Sequence, residues 1–488
     1  MRDVRGYEER NPETMRQLTS GYPRFVVHPF ARRLADHFTA NTPALRGSPA
    51  DGRGPHTLWL TSSPRMARAL AACLDSTTPG QTSAVEIISR DGLHGVSHPP
   101  SPELYGRAKT FLQNIGGFLS SREAEDHLVG LGLLPGRHPE ETFAGDATAE
   151  IRRVLRRGLP EAGDEDLLLA NCGMNAIYAA FRASAEIQAE RGRTVWLQLG
   201  WLYLDTIAVL KKYTRTPGDY VYVRDPLDTE GIRRIFTRHG DRIAGVVAEL
   251  PTNPLIETPD VAELVRLCRE HGAHLLIDPS VVSVFSLDVL SRCDAVVASL
   301  TKYTASDGDL TAGVAAINPA GRDAAALRRK IAEELEPVYP RDLARLAAQI
   351  GDTAEVLARI QVNTTRVAQF LEQHPKVRDV YWPLQPASQE NYLKIARGPH
   401  AIGGMISFTL RGPMEPFYDR LRLPKGPSFG MKTTLICPFM YLAHYDLVTT
   451  AAGIAELAAS RLDPDLLRLC CGTEPAEEIT GAIAEALE

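Results

Sequence analysis

IAGVVAEL at residues 243–250 runs directly into PTNP, and two more apolar runs follow it, AHLLID at 273–278 and AVVASL at 295–300. Each is nearly continuous in hydrophobicity, as a strand buried on both faces must be. Between the first two lies VAELVRLCREHG at 261–272, an amphipathic window whose closing glycine suits a helix C-cap. Working outward, DLLLA (166–170) and TVWLQL (194–199) come before these runs and GVAAIN (313–318) after them. Strands alternating with helices predict an α/β domain, a mostly parallel central sheet with helices on both faces.

The flanks have a different texture. AAALRRKIAEELE (324–336) and the stretch at 343–374 are helical in pattern, and VRDVYWP, GGMISFTLRG and LLRLCCGTE read as strands among helices. That suits a smaller C-terminal α+β domain. Residues 1 to about 100 carry Gly/Ser/Pro-rich stretches, Asn41 to Pro55 and His98 to Pro102, around YPRFVVHP (22–29) and TLWLTSSPRMARALAACL (57–74). This predicts a cap or arm packed on the main body.

Bulk properties exclude several classes. The chain has 488 residues, 44% hydrophobic and 23% charged, with a net charge of -6. It therefore lacks the electrostatic footprint of a nucleic-acid or anionic-membrane binder. The cluster Arg152, Arg153, Arg156, Arg157 alternates with apolar residues and reads as a solvated helix face. Seven cysteines without paired spacing give neither a disulfide framework nor a zinc motif, and Cys470-Cys471 reads as small buried hydrophobes. The first thirty residues lack a signal-peptide core, and no run of eighteen apolar residues occurs. A cytoplasmic protein is expected.

In an open α/β sheet, ligands bind beyond the carboxyl ends of the strands. After DLLLA come Asn171, Cys172, Gly173 and Met174, opening the helix AIYAAFRASAEI; backbone N–H groups there can cradle a phosphate. Glu249 and Asn253 follow IAGVVA, Asp278 ends AHLLI, and Ser299, Thr301 and Lys302 follow AVVA. Singly these are ordinary: a strand-end Asp is commonly a cap, and a lone Lys is usually solvated. Together they meet the needs of pyridoxal phosphate: a Schiff-base lysine, a carboxylate for the ring nitrogen and donors for a phosphate. Lys302, Asp278 and the Gly173-Met174 helix start with Ser299 and Thr301 supply these, and Tyr203 in LYLDT can stack on the ring. Lys302, once released, is placed as general acid/base.

At these positions the sequence resembles the cystathionine γ-synthase, cystathionine γ-lyase and methionine γ-lyase group, the Cys/Met-metabolism enzymes of fold type I. E-L-P-T-N-P, the strand-end Asp and S-L-T-K-Y carry the resemblance, which is good over about 165–320 and thinner to the C-terminus. It implies Lys302 as Schiff-base residue, Asp278 as pyridinium partner and Tyr203 as stacking ring, and it places Gly173, Met174, Ser299 and Thr301 at the phosphate. It also puts Asn253 near the cofactor's phenolic oxygen and Arg468, in LLRLCCGTE, on the substrate carboxylate, with Ser428, in SFGMKTTL, in the substrate site. A bidentate fork suits the carboxylate; the alternative for Arg468 is a surface salt bridge. GYPRFVVHP, LWLTSS and ELYGRAKTFLQNIGGFLSSREAE resemble extended cystathionine γ-synthase-like proteins of fungi. By resemblance, Tyr105 and Arg107 match a Y-x-R pair that reaches a neighbouring subunit's phosphate, with Lys109 an equal candidate for the cation.

The implied division is 1–145, an N-terminal extension contributing to the oligomer and cofactor site; 146–335, the large pyridoxal-phosphate domain; and 336–488, the small domain. The resemblance also implies self-association as dimers or tetramers built from dimers, and a small amino acid as substrate. Two departures fall where the family has D-N-T-F and G-H-S-D: here Asp278-Pro279-Ser280-Val281 and Ser306-Asp307-Gly308-Asp309. Both are expected near the substrate. The expected chemistry is γ-replacement or γ-elimination, first as a cystathionine γ-synthase-like replacement on an activated homoserine. The alternative expels chloride from an unsaturated γ-chloro amino acid to leave a terminal alkyne, as L-propargylglycine-forming relatives do; a plain γ- or β-lyase is a third reading. A non-catalytic relative would be expected to lack Lys302 or Arg468, and no G-x-G-x-x-G opens the sheet for a dinucleotide.

Overall fold

The computed structural model describes residues 1–17, 26–46, 54–75 and 84–488, which form three sheets. β1 (Thr57–Thr61), β2 (Glu86–Arg90) and β3 (Leu93–His98) make an antiparallel sheet in the order β1-β3-β2. Part of YPRFVVHP, residues 22–25, lies outside the described residues; His28 caps the helix Pro29–Asn41 that follows. That helix packs with Leu58 and Leu60 on one side of the sheet, and Trp59 and Val96 pack with helices Pro64–Leu74 and Pro102–Ile115 on the other. The N-terminal segment thus has apolar cores of its own. Its first residues dock on the C-terminal part, where the Met1 ammonium meets Asp419 and Arg5 meets Glu415.

The central sheet comprises β4 (Leu167–Ala170), β5 (Val195–Leu199), β6 (Tyr220–Val223), β7 (Ile243–Glu249), β8 (His274–Asp278), β9 (Ala295–Ser299) and β10 (Gly313–Ile317). Its order is β4-β10-β9-β8-β7-β5-β6, and β10 runs antiparallel to both its neighbours. Side chains alternate between two cores, Leu275 and Ile277 of β8 on one face and Leu276 on the other. Helices Ala147–Leu155, Thr229–His239 and Val261–His271 cover the first face; Gly173–Ala189, Leu204–Tyr213 and Ala324–Glu334 cover the second. Helix Val261–His271 starts at Asp260, whose side chain accepts from the Glu263 N–H, and ends at Gly272 with φ 62°. Gly245 in β7 has no substitute, because a Cβ there would stand 2.6 Å from the Trp196 ring.

The C-terminal sheet has the order β11-β12-β14-β13, from β11 (Val377–Tyr381), β12 (Met405–Leu410), β13 (Leu435–Pro438) and β14 (Leu467–Cys470), all antiparallel. The helix Thr353–Gln373 packs against it. β6 and β13 are additions to the strands read from sequence. β6 lies at the sheet edge and is half-buried at three of its four residues, so YVYV lacks a continuous apolar run. All seven cysteines are free, and six of them, Cys470 and Cys471 included, are buried. Among the described residues no helix is long and apolar enough to cross a membrane.

Candidate active site

β4, β5, β7, β8 and β9 point the same way, so their carboxyl ends share one edge. That edge carries the Asn171–Gly173 turn, Glu249, Asp278 and the Ser299–Lys302 turn, with Tyr203 four residues past β5. Lys302 sits in a tight turn closed by Thr304 N–H to Lys302 O at 2.7 Å and Ala305 N–H to Leu300 O at 3.0 Å. Its Nζ donates to Ser428 Oγ at 2.8 Å and lies 4.8 Å from the Phe429 ring centroid. The next residue, Tyr303, is fully buried with φ 65° and fastens this turn to three others. Its N–H donates to Gly430 O at 2.7 Å, its hydroxyl donates to Val281 O at 2.6 Å, and that oxygen accepts from Gly404 N–H at 3.0 Å. The lysine is therefore held between the large domain and the C-terminal sheet.

Asp278 and Glu249 are register partners at the ends of β8 and β7, and both are buried. Burial pushes the Asp278 carboxyl up to about 6, against hydrogen bonds from the Ser280 N–H and hydroxyl that favour its charged form. Burial, then the Asp278 charge, raises Glu249 well above the carboxylate range, while the Tyr203 N–H and the Arg468 charge oppose this. Two desolvated carboxyls side by side call for a cationic group, which a protonated pyridine nitrogen supplies. Ser280, one of the departures, is part of this support: its Oγ also accepts from the Ser299 N–H at 2.9 Å.

Beside this pair the start of helix Gly173–Ala189 packs closely on the end of β9. A Cβ on Gly173, the first residue of helix Gly173–Ala189, would stand 2.8 Å from Ser299 Cβ, and one on Gly313 would stand 2.5 Å from Cys172 O. Glycine alone fits at both positions, and the helix start presents its N–H groups next to Ser299. Thr301 Oγ1 accepts from Ala312 N–H at 3.2 Å, and Met174 Sδ accepts from the Thr206 hydroxyl at 3.7 Å. The second contact ties the cradle helix to the helix capped by Tyr203. Lysine, buried carboxylate and helix start thus share the carboxyl edge of the sheet, with the backbone of Tyr203 bonded to Glu249 beside them.

Arg468 comes from the middle of β14, where it pairs with Ser407 of β12 and Cys437 of β13. It is 6% exposed, which rules out a surface salt bridge. Nη1 donates to Asn253 Oδ1 at 3.2 Å and Nη2 donates to Pro427 O. The guanidinium lies 4.6 Å from the Phe439 ring and 5.4 Å from the Phe429 ring. Among the described residues no carboxylate pairs with it. A buried guanidinium with no carboxylate in direct ion-pair contact, set between two phenyl rings, has a fork whose geometry suits a ligand carboxylate. Phe429 lies against both this cation and Lys302.

Tyr105, Arg107 and Lys109, expected from a neighbouring subunit, lie in the N-terminal segment of their own chain. Tyr105 is 44% exposed and rests on Trp59, ring centroids 4.8 Å apart, while Arg107 donates to Cys73 O at 2.6 Å. These partners belong to the N-terminal segment. Lys109 instead feels Asp205, in the first turn of the Tyr203 helix, along with Glu8 and Arg10; burial lowers its pKa. Asp307 and Asp309, expected near the substrate, are engaged in ion pairs: Asp307 with Arg345 at 2.6 Å and Lys432 at 2.8 Å, Asp309 with Arg345 at 2.8 Å and Arg122 at 3.1 Å. Through Arg345 they tie the segment after the Lys302 turn to helix Pro340–Ile350. Sequence reasoning did not assign roles to Glu249, Ser280 and Phe429. Glu249 opens the very motif E-L-P-T-N-P, and its strand-end position was the available signal.

Comparison with known proteins agrees with this geometry. Residues 155–488 match the family described as Cys/Met metabolism PLP-dependent enzyme. The L-2-amino-4-chloropent-4-enoate dechlorinase/desaturase of Streptantibioticus cattleyicolor is 37% identical over 489 residues, spanning 100% of this chain and 94% of that one. The cystathionine gamma-synthase of Neurospora crassa is 29% identical over 337 residues, 68% of this chain and 53% of its own. In fold, the crystal structure of cystathionine gamma synthase from Xanthomonas oryzae pv. oryzae superimposes with a TM-score of 0.59 at 22% identity, covering 70% of this chain and 86% of that one. With fold, strand-end chemistry and sequence in agreement, the chain belongs to the Cys/Met-metabolism family of pyridoxal-phosphate-dependent enzymes.

Proposed function

We propose that this enzyme eliminates a Cγ leaving group from a small L-amino acid, with chloride on an unsaturated γ-carbon as the favoured case. The observation that carries the proposal is the placement of Lys302 and the buried Arg468 against the same Phe429 ring. A carboxylate on Arg468 sets the substrate's α-carbon on the Lys302 side, and Phe429 makes that space apolar. Lys302 Nζ, held by Ser428, is then the base that takes the Cα proton and the acid that returns it. Pyridoxal phosphate supplies the electron sink that makes this proton acidic. Asp278 keeps the ring nitrogen protonated, Gly173, Met174, Ser299 and Thr301 hold the phosphate, and Tyr203 covers the ring; Asn253 orients Arg468.

Elimination is favoured over replacement because the dechlorinase/desaturase relative matches along the whole chain, whereas the fungal γ-synthase matches about two thirds. Overall HCl is lost: the C–Cl bond breaks with its electron pair going to chloride, the terminal vinyl carbon loses one proton net, which passes to solvent, and the Cγ–Cδ double bond becomes a triple bond. The second reading, replacement on an activated homoserine by a thiol, rests on the fungal relative. Self-association as dimers or tetramers is carried into the proposal from the family resemblance, and a cytoplasmic setting from the sequence. The purified enzyme is to be offered a γ-chloro-γ,δ-unsaturated amino acid and, separately, O-acetyl- or O-succinylhomoserine with and without cysteine. Chloride and an alkynyl amino acid from the first alone establish elimination; cystathionine that appears only with cysteine replaces it with the second reading.

A further inference from the structure

We propose that the end of helix Pro102–Ile115, in the N-terminal segment, is part of the cofactor site of its own chain. Its residues Gln113 and Asn114 act as positioning residues for Tyr203 through Asp205. Asp205 is 1% exposed and lies two residues after Tyr203, in the first turn of helix Leu204–Tyr213. Gln113 Nε2 donates to its Oδ1 at 3.0 Å. Asn114, its amide oriented with nitrogen toward the acceptors, donates to the same oxygen at 3.1 Å and to Thr110 O at 3.2 Å. Where the family has Y-G-G-T this chain has Tyr203-Leu204-Asp205-Thr206, so an acidic side chain stands where the N-terminal segment supplies amide donors. A buried carboxylate needs such donors, and here they come from a helix 92 residues upstream.

The same helix end also backs the phosphate cradle. Asn171 Nδ2 donates to Gly116 O at 2.7 Å, and Asn175 Nδ2 donates to Ile115 O at 3.3 Å. Gly116 has φ 72°, and a Cβ on it would collide with Cys172 Sγ, next to Gly173. A cavity of about 50 Å³ is lined jointly by Gly116, Ser120 and Glu123 of the N-terminal segment and by Asn171, Cys172 and Thr311 of the large domain. One helix terminus thus touches both the cradle and the Tyr203 helix. The N-terminal segment fixes the distance between them.

The inference rests on Tyr203 being the stacking ring, and its test separates the two. The readouts are the dissociation constant of pyridoxal phosphate from reconstituted apoenzyme and the visible circular dichroism of the bound cofactor. Thermal unfolding of each apoprotein serves as the control. Gln113→Glu sets a carboxylate against Asp205 and is expected to weaken cofactor binding about tenfold and reduce the visible dichroism, since a buried like-charge contact costs upward of a hydrogen bond. Combined with Asp205→Asn, which exchanges donor and acceptor, binding is expected to return to within about threefold of the parent. Gln113→Leu, which adds no charge, is expected to fall between. Parent-like binding and dichroism in Gln113→Glu and Gln113→Leu, or no recovery in the double variant, would overturn the clamp while leaving Tyr203 in place. If Tyr203→Ala itself leaves the dichroism unchanged, the stacking assignment falls and takes the clamp with it.

Discussion

The two sheets that meet at Lys302 deliver chemistry in different ways. In the central sheet the functional groups stand at the last residue of a strand, as Glu249, Asp278 and Ser299 do, or on the turn beyond it, as Lys302 does. In the C-terminal sheet Arg468 projects from the second residue of a four-residue strand flanked on both sides. The first arrangement holds a cofactor with many contacts of modest size. The second fixes one cation rigidly, because β12 and β13 leave β14 no freedom to shift. The difference teaches that cofactor and substrate are gripped by separate units, joined through Tyr303 and the Pro427–Gly430 loop.

That separation is open to a graded series of substitutions. Lys302→Ala removes both the cofactor bond and the proton carrier, so turnover is expected to fall by at least ~10³-fold with loss of the visible absorbance band. Retention of the band would remove Lys302 from the site. Arg468→Ala acts only on the substrate side: kcat/KM is expected to drop about 100-fold or more, mostly through KM, with the cofactor band intact. Arg468→Lys should recover little, since an ammonium cannot present the fork or lie flat between two rings. Loss of the cofactor band in either variant would show that the two grips are not separate.

Phe429→Leu keeps an apolar wall but withdraws the ring from both cations. KM is expected to rise about three- to tenfold with kcat little changed. An unchanged KM for the chlorinated substrate would remove Phe429 from the pocket.

The smallest effect concerns the carboxylate end without cofactor. Asp278 ionises near 3.8 when exposed but at about 6 in the fold, where burial disfavours its charge. The folded apoprotein therefore holds the proton more tightly, and the stability this gives is lost as pH rises through about 6. Apo Asp278→Asn is expected to unfold at nearly the parent's temperature near pH 4 and above it at pH 7.5. A gap that does not widen with pH would contradict the burial of this carboxyl.

The same contrast explains what could be read without coordinates. β7, β8 and β9 announce themselves because a strand covered on both faces must be apolar throughout, and the residue that ends each run is the one that faces a ligand. Arg468 sits inside LLRLCC, where periodicity says only that a strand passes; a motif resemblance singled it out, and Asn253, its partner, lies 215 residues away. Phe429 reads as one more apolar residue until two cations flank it. The N-terminal layer stayed illegible for another reason. Its cores are small and its strand β2 is largely exposed, so the apolar pattern is weak, and its functional meaning lies in contacts such as Gln113 with Asp205 that no local pattern encodes. Tyr105 and Arg107, singled out by a motif resemblance, make these contacts within that layer.

The most direct test of the strand-end centre is chemical trapping. The holoenzyme is to be reduced with borohydride, digested and mapped by mass spectrometry for the pyridoxyl group. One modified peptide is expected, containing Ser299–Tyr303, with the label on Lys302. A label on Lys109, Lys432 or any other lysine, with the Lys302 peptide unmodified, would contradict it.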